Sequence, residues 1–426
     1  MKTINVMMTL LAVLLLSACS QNEVTEVSPD AYPQVGFGVY TGASVRGVDM
    51  TTESMKDAPT DANKYGGFGI MAYFTGQDNF ETAKNKVTPS YMHNQMVEYD
   101  KTNSVWTYSP VKYWPNRPGD KISFFAYAPY ENDWQNGTKS GVILSAANEK
   151  GIPYINFTLK PEDKLDKMVD LVVANAQDQS YSPVTGGKVS FTFEHTLSRI
   201  SFKAQLGDGD FTGMDGTNSF VYITRMWIVG TDHSAAGSNL SMIDTASPVN
   251  TNSKFYTKAK WSQLHWNYGS TDATIATADF SLNKMLNLEE PGIVESNPAA
   301  GHAGATKGIR ITKDSQGTDK AVALFPDKQY LYLIPVGDDN ADVSLNNGCK
   351  KGDIKIGFHY DIVTKDQTTA GQYVASHAEA FIDLPAGHLQ RNKSYLYTLK
   401  INLHEIKIDK AEVTPWSDLK DEATIE

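Results

Sequence analysis

The side chain whose setting most clearly specifies chemistry is Cys19. It follows Lys2, an apolar run from Ile4 to Leu16 interrupted only by Asn5 and Thr9, and the small residues Ser17 and Ala18. That layout is a secretory signal peptide. The run is too short for a hydrocarbon core of about 30 Å, which takes roughly 20 apolar residues as helix, so a permanent membrane span is not expected. Leu16-Ser17-Ala18-Cys19 matches the bacterial lipobox, in which lipid is joined to the Cys thiol and the chain is cut just before it. The competing reading is an apolar cysteine that merely ends the signal. Several acyl chains would hold the product at outer-membrane lipid, since one chain binds only marginally. Cys349 is the other cysteine, so with Cys19 lipidated no intramolecular disulfide is expected and stability rests on packing.

Other reactive constellations are weak. The nine histidines are scattered without a His-x-x-His or Glu-x-x-His helix motif, which leaves a metal centre unsupported. A Gly-x-Ser-x-Gly elbow, a P-loop and a dinucleotide fingerprint are all missing, so no catalytic residue, no cofactor and no enzymatic activity are expected. His195 sits where the strand phase slips between Phe193 and Ile200, which suits local packing or hydrogen bonding better than base catalysis. The loop from Asp208 to Gly216 carries three carboxylates among glycines, but lacks the closing Glu of a calcium loop and reads more simply as an acidic hairpin. Trp261, Trp266 and Tyr268 could stack sugar rings or pack across strands, and nearby polar partners for a sugar are not evident. A formal net charge of −11, with both signs interspersed, argues against nucleic acid.

The elements that would carry these residues have period two. In Lys188 to Glu194, Val189, Phe191 and Phe193 face one way while Ser190, Thr192 and Glu194 face the other. The same alternation runs through Ile354, Ile356, Phe358, Tyr360 and Ile362, and through Tyr395, Tyr397, Leu399, Ile401 and Leu403. Such runs are half-buried strands. Ile122 to Ala128 is apolar on both faces and stops at Pro129, as a central strand would. Gly, Asn, Asp, Ser and Pro clusters separate the runs, and short helices are expected only near Asp163 to Val169 and Ser281 to Leu286. The chain is therefore expected to be all-β, with enough length for two domains. The polar stretch Gln177 to Gly187 marks the boundary between them.

Several segments, in order along the chain, resemble the Bacteroidetes fimbrillin family, whose members build type V fimbriae. They are Lys112-Tyr-Trp-Pro115, Asp120 to Pro129, Asp170 to Ala174, Phe193 to Phe202, Tyr332 to Pro335, Leu384 to Gly387, Asn392 to Tyr395 and Thr414-Pro-Trp416. Ser20-Gln21-Asn22-Glu23 also resembles the short signal that sends some lipoproteins of that group to the cell surface. The resemblance implies two transthyretin-like (Greek-key) β-sandwich domains in tandem. The layout then reads as signal peptide 1–18, a lipidated segment 19–46 with the first strand, an N-terminal domain 47–185 and a C-terminal domain 186–426.

The resemblance also implies a mechanism. A trypsin-like protease cuts after a basic residue, the first strand is lost, and a neighbouring subunit fills the open groove with a strand of its own. The first strand here is Gln34 to Tyr40, with Val35, Phe37 and Val39 on one face, and the loop after it offers Arg46 beside Gly47 as the cleavage site. A solvated loop arginine that is never cut is the alternative. The donor segment is 405–426, in which Ile406, Ile408, Val413 and Trp416 give an apolar rhythm; a plain last strand with a polar tail is the alternative. Expected partners are other fimbrial subunits, the protease, outer-membrane lipid, and host or microbial surface glycans or proteins. The competing function is a permanently anchored, glycan-binding surface lipoprotein.

Overall fold

A computed structural model describes residues 33–41, 49–57, 66–159, 165, 168–207, 214, 218–229, 256–268, 273–275, 280–288, 293–298, 308–312, 321–326, 329–336, 348–402 and 406–416. Among these residues the fold is all-β, as the alternation requires. The first strands are β1 (Gly36–Thr41), β2 (Phe68–Gly76), β3 (Met92–Asp100), β4 (Val105–Thr107), β5 (Lys121–Ala128), β6 (Val142–Leu144), β7 (Tyr154–Thr158), β8 (Val172–Gln179) and β9 (Lys188–His195). Then come β10 (Ser198–Leu206), β11 (Ser219–Ile228), β12 (Tyr256–Ser262), β13 (His265–Asn267), β14 (Thr274–Ile275), β15 (Phe280–Ser281), β16 (Ile309–Ile311) and β17 (Val322–Ala323). The last are β18 (Leu331–Leu333), β19 (Lys355–Lys365), β20 (Tyr373–Asp383), β21 (Lys393–Ile401) and β22 (Ile406–Pro415). Among the described residues helix is confined to single turns such as α1 (Thr52–Met55), and the stretch near Ser281 to Leu286 holds a 3₁₀ turn at Asn283–Met285.

The strands form four sheets among the described residues. The first has the order β1-β9-β8-β5-β2-β3-β4. Its central strand β5 is apolar on both faces because it serves two cores: Ile122, Phe124, Ala126 and Ala128 enter one, while Phe125 and Tyr127 enter the other. The first core is enclosed by β1, β9, β8, β5, β2 and β3. The second begins on the outer face of this sheet, where Met71, Tyr73 and Phe125 join Ile155, Phe157 and Trp261 from the sheet β13-β12-β7-β6. It continues between the sheets β17-β10-β21-β22 and β15-β11-β19-β20, whose alternate residues Phe202, Tyr397 and Leu399 share an interior with Ile223, Met226, Ile356 and Phe358.

The first sheet does not stop at Thr185. Gly186 and Gly187, read from sequence as part of the domain boundary, adopt left-handed φ values of 61° and 77° and make a tight turn that leads directly into β9. Strand β9 pairs with β1 in parallel and with β8 in antiparallel fashion. Its inward residues Val189, Phe191 and Phe193 lie in the first core. The strand that the sequence reading assigns to the second domain thus lies within the first sheet, between β1 and β8. The pairing of β7 with β12 likewise crosses the sequence boundary. Local turn chemistry marks a turn correctly but does not reveal which sheet the next strand joins.

Candidate functional site

The first strand lies where its alternation predicts. Strand β1 is the margin of its sheet, joined to β9 by a parallel ladder running from Gly36 opposite Lys188 to Thr41 opposite Phe193. Val35 and Phe37 are buried and Val39 is half-buried, whereas Tyr40 faces solvent. Phe37 is the centre of an aromatic slot. Its ring centroid lies 5.2 Å from Tyr108, 5.7 Å from Phe191, 5.9 Å from Phe124 and 6.4 Å from Phe68. Burying Val35 and Phe37 stabilises the strand by about 1.5–3 kcal/mol each.

The entrance to the slot is made by residues whose role sequence reasoning did not assign. The Val35 N–H donates to Lys112 O at 2.9 Å and the Trp114 N–H to Pro33 O at 3.0 Å. Tyr108 donates its hydroxyl to Val35 O at 2.7 Å. Gly187 O accepts from the Gly36 N–H at 3.2 Å and from Trp114 Nε1 at 2.9 Å. A Cβ on Gly187 would lie 2.9 Å from Trp114 Nε1, so the approach of the chains requires glycine there. The Lys112-Tyr-Trp-Pro115 segment carried the signal, but its use as a clasp around Val35 is a tertiary fact. Removing β1 would leave an aromatic slot beside the unpaired edge of β9, which is a template for another strand.

Cys19, Arg46 and Gly47 lie outside the described residues, as do residues 403–405, 417–426 and most of the acidic Asp208 loop. The other candidate donor residues are described. Strand β22 is the margin of its own sheet and pairs antiparallel with β21. Ile406 is buried and Ile408 half-buried against the second core. A bulge follows, because Leu399 pairs with Ile408 and Thr398 with Lys410, leaving Asp409 as the extra residue. That extra residue moves the core-facing position from Ile408 to Ala411, which is half-buried against the same core. Beyond it, Val413 is 45 % exposed, while Trp416 is 2 % exposed. Trp416 stacks on His195 at 4.0 Å with the planes 1° apart, and on Tyr332 at 5.5 Å. His195 therefore packs, as its sequence position suggests, with its Nδ1 2.9 Å from Asp170 Oδ2.

The tryptophan cluster is a packing element. Trp261 and Trp266 face each other across the β12–β13 hairpin at 5.3 Å. Trp266 is buried and donates from Nε1 to Thr196 O at 2.7 Å, and Tyr268 donates to Pro335 O at 2.6 Å. Cys349 is buried as well, and burial pushes its thiol up to about 11.

The chain as a whole is similar to known proteins. The model of the fimbrillin-like family matches residues 56–416. The chain belongs to the fimbrillin-like family. Fimbrium subunit Fim1C of Phocaeicola vulgatus is 30% identical over 415 residues, which is 96% of this chain and 96% of that protein. A crystal structure of a fimbrial protein from Bacteroides vulgatus superposes with a TM-score of 0.69 at 27% identity, covering 90% of this fimbrillin-like chain and 99% of its own.

Proposed function

We propose that the chain is a non-enzymatic structural subunit of surface fimbriae, exported as an outer-membrane lipoprotein precursor through Cys19 and assembled by donor-strand exchange. The observation that carries this reading is the position of β1: a marginal strand filling an aromatic slot, just upstream of Arg46, in a chain of the fimbrillin-like family. Cleavage between Arg46 and Gly47 by a trypsin-like protease frees β1, and a strand from the next subunit, of the same or another type, takes its place. The donor is the segment 405–426, and two features support it. Its strand β22 is marginal in its own sheet, and its residues Ile406 and Ile408 have the period-two apolar spacing of Val35 and Phe37. In this reading the two transthyretin-like units meet after β9, near His195, rather than at Thr185. Contact with host or microbial surfaces then belongs to the fibre.

The test is assembly itself. Arg46→Gln protein and the parent are treated with a trypsin-like protease and run without boiling. The parent gives denaturant-resistant ladders and Arg46→Gln gives none. Equal ladders from both would place the cut or the mechanism elsewhere.

A further inference from the structure

The chain immediately beyond the cleavage loop is held in a different way from β1. Asp49, the first residue described after that loop, is buried and forms an ion pair with Arg199 of β10. The hydroxyl of Tyr332, in β18, donates to the other Asp49 oxygen at 2.6 Å. Burial raises the Asp49 carboxyl while Arg199 pulls it down. The next backbone amide, Met50 N–H, donates to Asp170 Oδ2 at 2.7 Å, the same oxygen that meets His195. Arg199 is itself buried, donates from Nε to Ser394 at 3.0 Å, and lies over Tyr330 at 4.2 Å. Trp416 covers the cluster from the end of β22. Downstream, Thr51 caps α1 and Met50 and Met55 are buried in the first core.

We infer that Asp49 with Arg199 and Tyr332, and Asp170 with the Met50 amide, are positioning residues that anchor the chain beyond Arg46, so that strand exchange removes β1 and nothing further. This rests on the strand-exchange reading. The side chains of β1 are held by apolar contacts, which a second apolar strand can replace one for one. Asp49 is held by a charge that no donor strand supplies, and its withdrawal would leave Arg199 buried with its charge uncompensated. The anchor sits at the start of the C-terminal sheets, on β10 and β18, so the new N-terminus stays tied to the junction of the two halves while the groove beside it empties.

Hydrogen exchange of the uncut full chain tests the anchor independently of polymerisation. In the parent, residues 49–57 exchange at least tenfold more slowly than 34–41. Asp49→Asn speeds 49–57 at least tenfold and leaves 34–41 within twofold. Tyr332→Phe, which removes one partner and no charge, gives the same pattern more weakly and serves if Asp49→Asn does not fold. Equal acceleration of both segments, or no acceleration of 49–57, overturns the inference. Failure of the strand-exchange reading appears separately, as loss of ladders.

Discussion

Replacing Phe37 with alanine separates what β1 does before processing from what it does afterwards. Phe37 is buried and its ring meets four others within 6.4 Å, so there is little room for the slot to collapse. Phe→Ala at such a site costs about 3–5 kcal/mol through lost transfer energy and the cavity left behind. In a unit of some 150–250 residues each kcal/mol moves the melting midpoint by about 2–4 °C, so the precursor should melt roughly 10 °C lower. The assay is differential scanning calorimetry of the uncleaved Phe37→Ala precursor and of the fibre made from it. If a donor strand has replaced β1 in the fibre, as proposed, the fibre should melt with the parent fibre. Equal losses in both would mean that β1 stays in the fibre, and the reasoning would fail. An unchanged precursor would mean that Phe37 does not close the core.

Three other outcomes follow from the same contacts. Trp416→Ala should cost about 3–5 kcal/mol in urea unfolding, whereas Val413→Ser, at an exposed position of the same strand, should stay within about 0.5 kcal/mol. Gly187→Ala places a Cβ against Trp114 at a left-handed φ of 77°, so it should cost at least about 1–2 kcal/mol and make β1 more sensitive to protease. Burial lowers the affinity of His377 for its proton, but Asp361 and Glu295 outweigh it and the net shift is upward. The folded protein thus holds this proton more tightly than the unfolded chain. The resulting stability is fully present below the unfolded value of about 6.5 and fades as pH rises through the raised folded value. His377→Gln should therefore lose stability relative to the parent at pH 5.5 and less at pH 8.5, as read by urea midpoints.

What the sequence made legible was local. The alternation of Val189, Phe191 and Phe193, and of Val35 and Phe37, correctly gave both the strands and their inward faces. The two-sided apolarity of Ile122 to Ala128 correctly gave a central strand, and the structure adds that its two faces serve separate cores. What stayed hidden was non-local. Nothing in Lys188 to His195 says that it pairs with β1 rather than with the strands that follow it. The bulge at Asp409 appeared only as a break in rhythm, and the opposite burial of Val413 and Trp416 beyond it could not be read from the alternation. The anchor around Asp49 draws on six separate stretches of chain, at Asp49, Asp170, His195 to Arg199, Tyr330 to Tyr332, Ser394 and Trp416, and each side chain alone looks like an ordinary polar or aromatic position.

Mass spectrometry of the N-terminus of chains in surface-purified fibres is the most direct measurement of strand exchange. Strand exchange after cleavage at Arg46 predicts chains that begin at Gly47, without lipid and without β1. Fibres whose chains still begin at the lipidated Cys19 would contradict it.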